Sequence, residues 1–379
     1  MAALPIAAQT QAPGAPAAAM RPWSQKTLNF SGGKAVIGLP PSNGYVARPY
    51  CSSDGMVFVN LYPEGVPPEL YSIASSGEVK HLLRTMPKDY TSIFVDDFYA
   101  ADDALVTLFE TEKRDDPDDE NSRLERTYFL SLSDHDGDGA KLLALDLKFK
   151  PLKIALLHSG DFIVLGWDEI NLTPQLVLLK QDGTLRRFID LDSRKYAKGE
   201  EAHKAYTSEK EAASSSSTRG VLRSLQAAVL VPYGNQVLLT QPGSALPVQV
   251  LSDLGEERSV PLHLPAGFLL HDVLVSDGRG SWVVRAQAVE DFQESDKGRK
   301  TSNPKQRLFE VSSHDGSLIR ELLFDKPHIS AVTCAPNYKL TAIFYDTIPG
   351  ASCTDTDAGD KTVKSGEPAM QLVISTIPR

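Results

Sequence analysis

Three cysteines in 379 residues, Cys51, Cys334 and Cys353, are too few for a disulfide-stapled scaffold, and no CxxC spacing offers a structural zinc site. Long apolar runs are missing as well. Ala2 to Ala8 is a seven-residue stretch, and no later run reaches the length that would carry a helix across a bilayer. Lys and Arg never cluster into a long run, and the net charge is −10, so a nucleic-acid or anionic-membrane surface would need a local basic patch that the sequence does not supply. Sustained helical periodicity is confined to residues 193–213, which are polar all round and read as an exposed helix or linker fading into Ser214–Ser217. Neither a GxSxG elbow, an HExxH helix nor a phosphate-cradling glycine loop is present, which removes the sequence signatures of those three chemistries.

What the chain has in quantity is short apolar runs separated by turn residues. Residues 152–191 hold a complete unit: apolar runs at 154–157, 162–167, 176–179 and 185–189, with Ser159-Gly160-Asp161 and Gln181-Asp182-Gly183 between them. The second and third runs are apolar almost throughout, as expected of strands covered on both faces, so the unit reads as a four-stranded antiparallel meander.

The unit recurs, with varied spacing, six times. The first copy begins at 45–50 and turns at Ser53-Asp54-Gly55. The second begins at 92–99, the third is 152–191, and the fourth begins at 226–231 and turns at Tyr233-Gly234-Asn235. The fifth runs from 269 to 324 with turns at Ser276-Asp277-Gly278 and His314-Asp315-Gly316, and the sixth, from 329, ends at 370–376 with one strand too few. Residues 27–30, with Gly32-Gly33 behind them, belong to no copy and are the natural donor of that strand. Closure of this kind removes open sheet edges.

This rhythm resembles the six-bladed β-propellers of the TolB-like and NHL-like kind, over roughly residues 27–379. The resemblance implies an all-β fold: a six-bladed β-propeller of four-stranded antiparallel blades, closed by an N-terminal strand completing the last blade. The turns that carry it, such as Asp54-Gly55, Asp182-Gly183 and Asp315-Gly316, are generic, and neither a WD dipeptide series nor a kelch double-glycine series appears. It therefore implies a fold and no activity. Residues 1–26 form an Ala/Pro-rich leader or the remnant of a secretory signal, with Ala7-Ala8 before Gln9 suiting a cleavage site. Export to a periplasm or outside the cell is preferred over the cytoplasm on that basis.

In such a meander the connections between strands two and three share a face with the links from one blade to the next. The long insertions at 110–126, 289–306 and 346–368 fall in the former class and 192–224 in the latter, so all four emerge on one face. Loops on a rigid scaffold are where binding concentrates, although surface loops also tolerate polar insertions at small entropic cost. The inner strands start on the same face, and the polar residues in or near them are Arg48, Asp96, Asp97, Lys153, His271, Asp272 and His328. These are the candidate channel-lining residues. For His271-Asp272 the alternative to a catalytic or metal role is a histidine bonded to a backbone carbonyl beside an aspartate that braces a turn.

Asp134-His135-Asp136-Gly137-Asp138-Gly139 matches the opening of a calcium loop, but Leu142 and Leu145 stand where later acidic ligands would be needed. The segment aligns with the plain turns of other copies and is read as an Asp/Gly-rich hairpin. No cofactor and no metal site is assigned. Cys51 and Cys334 both close an inner strand, on the face away from the insertions, and Cys353 lies in an insertion, so a Cys334–Cys353 bridge is not expected. The functional expectation is a monomeric, non-enzymatic binding or scaffolding propeller that engages a protein, peptide or glycan through its insertion-bearing face. The alternative is a propeller enzyme, a hydrolase, lactonase or lyase, working at the channel mouth.

Overall fold

A computed structural model describes residues 26–29, 50–51, 56–61, 69–74, 79–82, 85–90, 92–101, 104–116, 122–190, 225–243, 247–274, 280–289, 306–322, 331–335, 339–346 and 369–376. The leader expected at 1–26, apart from Lys26, the polar segment 193–213 and Cys353 lie outside them, as do Arg48 and His328.

The described residues form strands with short connections. In chain order they are β1 Lys26–Asn29, β2 Tyr50–Cys51, β3 Val57–Leu61, β4 Glu69–Ile73, β5 Val79–Leu82, β6 Ser92–Ala100, β7 Leu105–Arg114 and β8 Leu124–Ser133. There follow β9 Lys141–Leu145, β10 Lys150–Leu156, β11 Phe162–Asp168, β12 Thr173–Leu179, β13 Leu185–Ile189, β14 Val229–Tyr233, β15 Gln236–Thr240 and β16 Val248–Ser252. The last are β17 Gly255–Val260, β18 Phe268–Leu274, β19 Ser281–Ala288, β20 Gln306–Ser312, β21 Leu318–Leu322, β22 Ala331–Ala335, β23 Lys339–Asp346 and β24 Ala369–Thr376.

Four consecutive strands make each of the sheets β2–β5, β6–β9, β10–β13, β14–β17 and β18–β21, and a further sheet has the order β1-β24-β23-β22. Every pairing is antiparallel. First strands of successive sheets are neighbours: β2 beside β6, β6 beside β10, β10 beside β14 and β14 beside β18. Four-stranded antiparallel meanders placed side by side through their first strands make a β-propeller.

The second strands show why the sequence settles this way. Phe162 to Trp167 of β11 are all buried, and so is the whole of β19 from Ser281 to Ala288. Each lies in mid-sheet, with neighbouring sheets over its faces, so continuous apolar runs replace the alternation of a one-sided sheet. Gly166 interrupts β11 for a steric reason: a Cβ there would lie 2.4 Å from the Lys150 carbonyl oxygen and 2.5 Å from the Phe149 ring. Aromatic packing joins successive sheets, with Tyr50 edge-on to Phe98 at 5.7 Å.

One sequence expectation is corrected. The insertion at 110–126 is about half strand, because β7 and β8 continue as a paired ribbon from Glu110↔Tyr128 out to Arg114↔Leu124, leaving residues 115–123 as the connection. Its polar sequence resembles a loop, but the cross-strand pairs Glu112↔Arg126 and Lys113↔Glu125 set opposite charges face to face.

Candidate functional site

The first strands do not run evenly. In β6 the register shifts between Val95 and Asp97, in β10 between Pro151 and Lys153, and in β18 between Leu270 and Asp272. Each shift skips one residue in the strand register, namely Asp96, Leu152 and His271, and a bulge of this kind re-aims the side chains beside it. All three lie near the end of the sheet where the strand-two to strand-three connections leave, since Ser92 pairs with Glu112, Lys150 with Trp167 and Phe268 with Ala288.

At the junction of β6 and β10 the charged side chains interlock. Asp97 Oδ2 accepts a hydrogen bond from the Ile154 backbone N–H at 2.9 Å, and its other oxygen lies 3.7 Å from Lys153 Nζ. Lys150 donates to Glu110 Oε2, and the second Glu110 oxygen lies 3.3 Å from Arg126 Nε. Arg126 also lies 3.4 Å from Glu112 Oε1 and 3.9 Å from Glu169 Oε1. Glu110 is buried, and its two cationic partners offset the cost of burying that charge.

Asp96 stands among these groups without such provision. Its Oδ2 is buried and has no hydrogen-bond partner. Burial pushes its carboxyl up to about 7, the Lys150 charge opposing this and the Glu110 and Asp97 charges adding to it. The Asp97 carboxyl is likewise raised, by burial first, with Lys153 and the Ile154 and Phe98 amides acting against the shift. Tyr128, on β8, has its phenol pushed up by burial and then by Glu110.

A second polar group occupies β18 and β19. Arg285 Nη2 lies 2.9 Å from His271 Nδ1 and 3.7 Å from Asp272 Oδ2, and both Asp272 and Arg285 are buried. With the guanidinium donating, Nδ1 accepts and the imidazole proton of the neutral ring sits on Nε2. The backbone beside the bulge is also used, as the Leu270 carbonyl accepts from Gly243 N–H at 2.7 Å.

Of the sequence candidates, then, Asp96, Asp97 and Lys153 come together at one junction, and His271 and Asp272 form a separate group. Sequence reasoning passed over Glu110, Arg126, Tyr128, Lys150 and Arg285. Two carried a signal: Glu110 ends the apolar run 105–109, and Arg285 stands inside the run 281–288. A charge within a strand buried on both faces implies a partner.

The β11–β12 connection projects from the same end. Asp168 Oδ1 accepts from the Ile170 and Asn171 N–H groups at 2.9 Å each, and Oδ2 from Asn171 Nδ2 at 2.7 Å. These bonds hold the Asp168 carboxyl below its usual range. The next residue, Leu172, has φ 55°, and Ile170 and Leu172 are exposed. Phe94, four residues before Phe98 on β6, is exposed too.

The Asp134–Gly139 motif lies between β8 and β9. Asp134 Oδ1 accepts from the Asp136 and Asp138 N–H groups at 3.0 and 2.8 Å, Asp136 pairs with Lys80 at 2.9 Å, and His135 Nε2 lies 2.7 Å from the Ala101 carbonyl oxygen. The segment is a hairpin turn tied to the preceding sheet. Among the described residues no group of three or more His, Cys, Asp or Glu side chains is arranged to hold a metal ion. No described helix is long and apolar enough to cross a membrane.

No protein-family profile matches the sequence, and no curated protein matches it closely enough to count as a relative. Solved structures align with it over much of its length. An endosialidase of phage phi92 aligns at 10% identity and TM-score 0.48, over 94% of this chain and 70% of that one. A DUF4623 family protein from Bacteroides eggerthii aligns at 8% identity and TM-score 0.43, over 94% of this chain and 75% of that one. Dipeptidyl peptidase 4 of Porphyromonas gingivalis aligns at 10% identity and TM-score 0.33, over 79% of this chain and half (50%) of its own.

Proposed function

We propose that residues 27–379 form a single six-bladed propeller closed by β1, and that it acts as a monomeric binding or scaffolding module for a protein, peptide or glycan. Support for six blades and their closure comes from the pairing of β1 with the edge of β24 and from β22, which neighbours both β18 and β2. The observation that carries the binding reading is the register of the second and third strands. Residues 115–123, 289–305 and 347–368 connect such strands, and 190–228 link one sheet to the next, so these four connections leave from one end. The exposed Phe94, Ile170 and Leu172 belong to that end as well. A rigid scaffold bearing varied loops and a few apolar side chains on one face suits capture of a partner.

The test is a variant lacking residues 290–305, used beside the intact chain as bait in a crosslinked capture from the source cells. The module reading expects a partner that is retained by the intact chain and lost or much reduced with the variant, while both unfold at the same denaturant concentration. An unchanged set of partners counts against this loop.

A second reading, a hydrolase, lactonase or lyase at the mouth, is favoured by Asp96 alone, since a carboxyl that titrates near 7 suits general acid–base work at neutral pH. Stoichiometric calcium or zinc in the purified protein, lost on Asp96→Asn or Asp272→Asn, would move the assignment to the enzyme.

A further inference from the structure

We propose that the β6–β10 junction is a proton-controlled switch, in which Lys150 and Lys153 are shared differently among Glu110, Asp97 and Asp96 according to whether Asp96 carries a proton. The geometry sets up the competition. Three carboxyl groups, Asp96 and Asp97 on β6 and Glu110 on β7, face two lysines on β10, with Tyr128 and Arg126 contributed by β8. Both lysines are already engaged, Lys150 with Glu110 and Lys153 with Asp97. Arg126 is divided between Glu110, Glu112 and Glu169. The third carboxyl, Asp96, sits at the bulge with a buried oxygen that nothing contacts by hydrogen bond.

A neutral Asp96 is compatible with that arrangement, because an uncharged carboxyl needs no cation. An ionised Asp96 is not, since it would add a third negative charge beside buried Glu110 and half-buried Asp97. Loss of the proton therefore draws Lys150 away from Glu110, which retains Arg126 as its second partner. The junction joins two first strands and stands near the end of the sheets that carries the long connections, so the exchange alters the rim from within the scaffold. It does not depend on what that face binds.

The sign follows from linkage. Asp96 titrates at about 7 when folded and at its ordinary value of 3.8 when unfolded. Between those values the folded chain holds a proton that the unfolded chain has released, so stability declines as pH rises through the window and is level above it. One proton changes the unfolding constant by up to about tenfold per pH unit.

Carbon-detected NMR of the side-chain carboxyls in the intact chain, recorded from pH 4 to 9, tests the proposal directly. Asp96 is expected to titrate near neutrality, with the Glu110 carbon shifting in the same step. An Asp96 that titrates near 4, the ordinary range for an aspartate, overturns it. In parallel, Asp96→Asn should flatten the pH dependence of the denaturation midpoint between pH 4 and 7; identical slopes in both proteins also overturn it. Glu110→Gln should lower the Asp96 midpoint by removing one charge and freeing Lys150. An Asp96 midpoint that stays put shows that the lysines are not shared.

Discussion

Asp97 and Ile154, 57 residues apart in sequence, are joined across two sheets by a 2.9 Å bond from the Ile154 N–H to the Asp97 carboxylate. This bond differs from the pairing inside each sheet. It spans neighbouring first strands, where backbone groups face another sheet and have no strand partner of their own, and a buried N–H left without an acceptor is costly. The β6 bulge at Asp96 is what brings the next residue to face β10.

Replacing Asp97 separates the two functions of that side chain. Asp97→Ala removes the acceptor for Ile154 and the counter-charge of Lys153 together, and should lower stability by about 2–3 kcal/mol, in the range for hydrogen bonds to charged groups. Asp97→Asn keeps an acceptor and loses only the charge, so its loss should be clearly smaller. Denaturant midpoints of the two variants check this, and equal losses would show that the Lys153 pair, not the Ile154 bond, holds the junction.

Much of the sheet order can be read in the chain, because the information is local. The runs expected at 162–167 and 185–189 are β11 and β13 to within a residue, and the sheet with order β1-β24-β23-β22 uses the N-terminal strand as its fourth. The turns are legible for the same reason: Gly160 and Gly183 take φ of 84° and 81°, a region that favours glycine, at the positions where the pattern breaks.

The site is less legible because its contacts are not local. Asp97 finds Ile154, and Lys150 finds Glu110 from 40 residues away, through the packing of one sheet on another, for which the sequence carries no period. The bulges hide in the same way, since Asp96-Asp97 reads as two polar residues until the partner strand shows that one of them is skipped in the register. Glu110 was obscured by the polar ribbon that follows it, where alternating charge imitates a loop.

Gly166 links the core to that site. Its backbone runs directly against Phe149 and Lys150, so the absence of a side chain lets β10 lie close enough for Lys150 to reach Glu110. Gly166→Ala should cost about 1–3 kcal/mol, the range for overpacking a close-packed interior. The displaced Lys150 should also shift the titration of Asp96. A variant as stable as the natural chain would mean that β10 and Phe149 move aside freely.

The turn between β20 and β21 offers a test at acid pH. Asp315 Oδ1 accepts from the Ser317 N–H at 3.1 Å and from its hydroxyl at 2.8 Å, within reach also of Ser312. The Ser312 hydroxyl first, then the Ser317 N–H and hydroxyl, favour the ionised form and hold the carboxyl at about 2. A carboxyl lowered on folding contributes stability above its unfolded value of 3.8, and that contribution disappears as the pH falls through about 2. Asp315→Ala should therefore unfold at lower denaturant than the natural chain at pH 7, and the gap should narrow steadily below pH 4 and close near pH 2. The turn is exposed, so the gap should be small. A gap that persists unchanged at pH 2 would assign the effect of the substitution to the shape of the turn and not to the charge of Asp315.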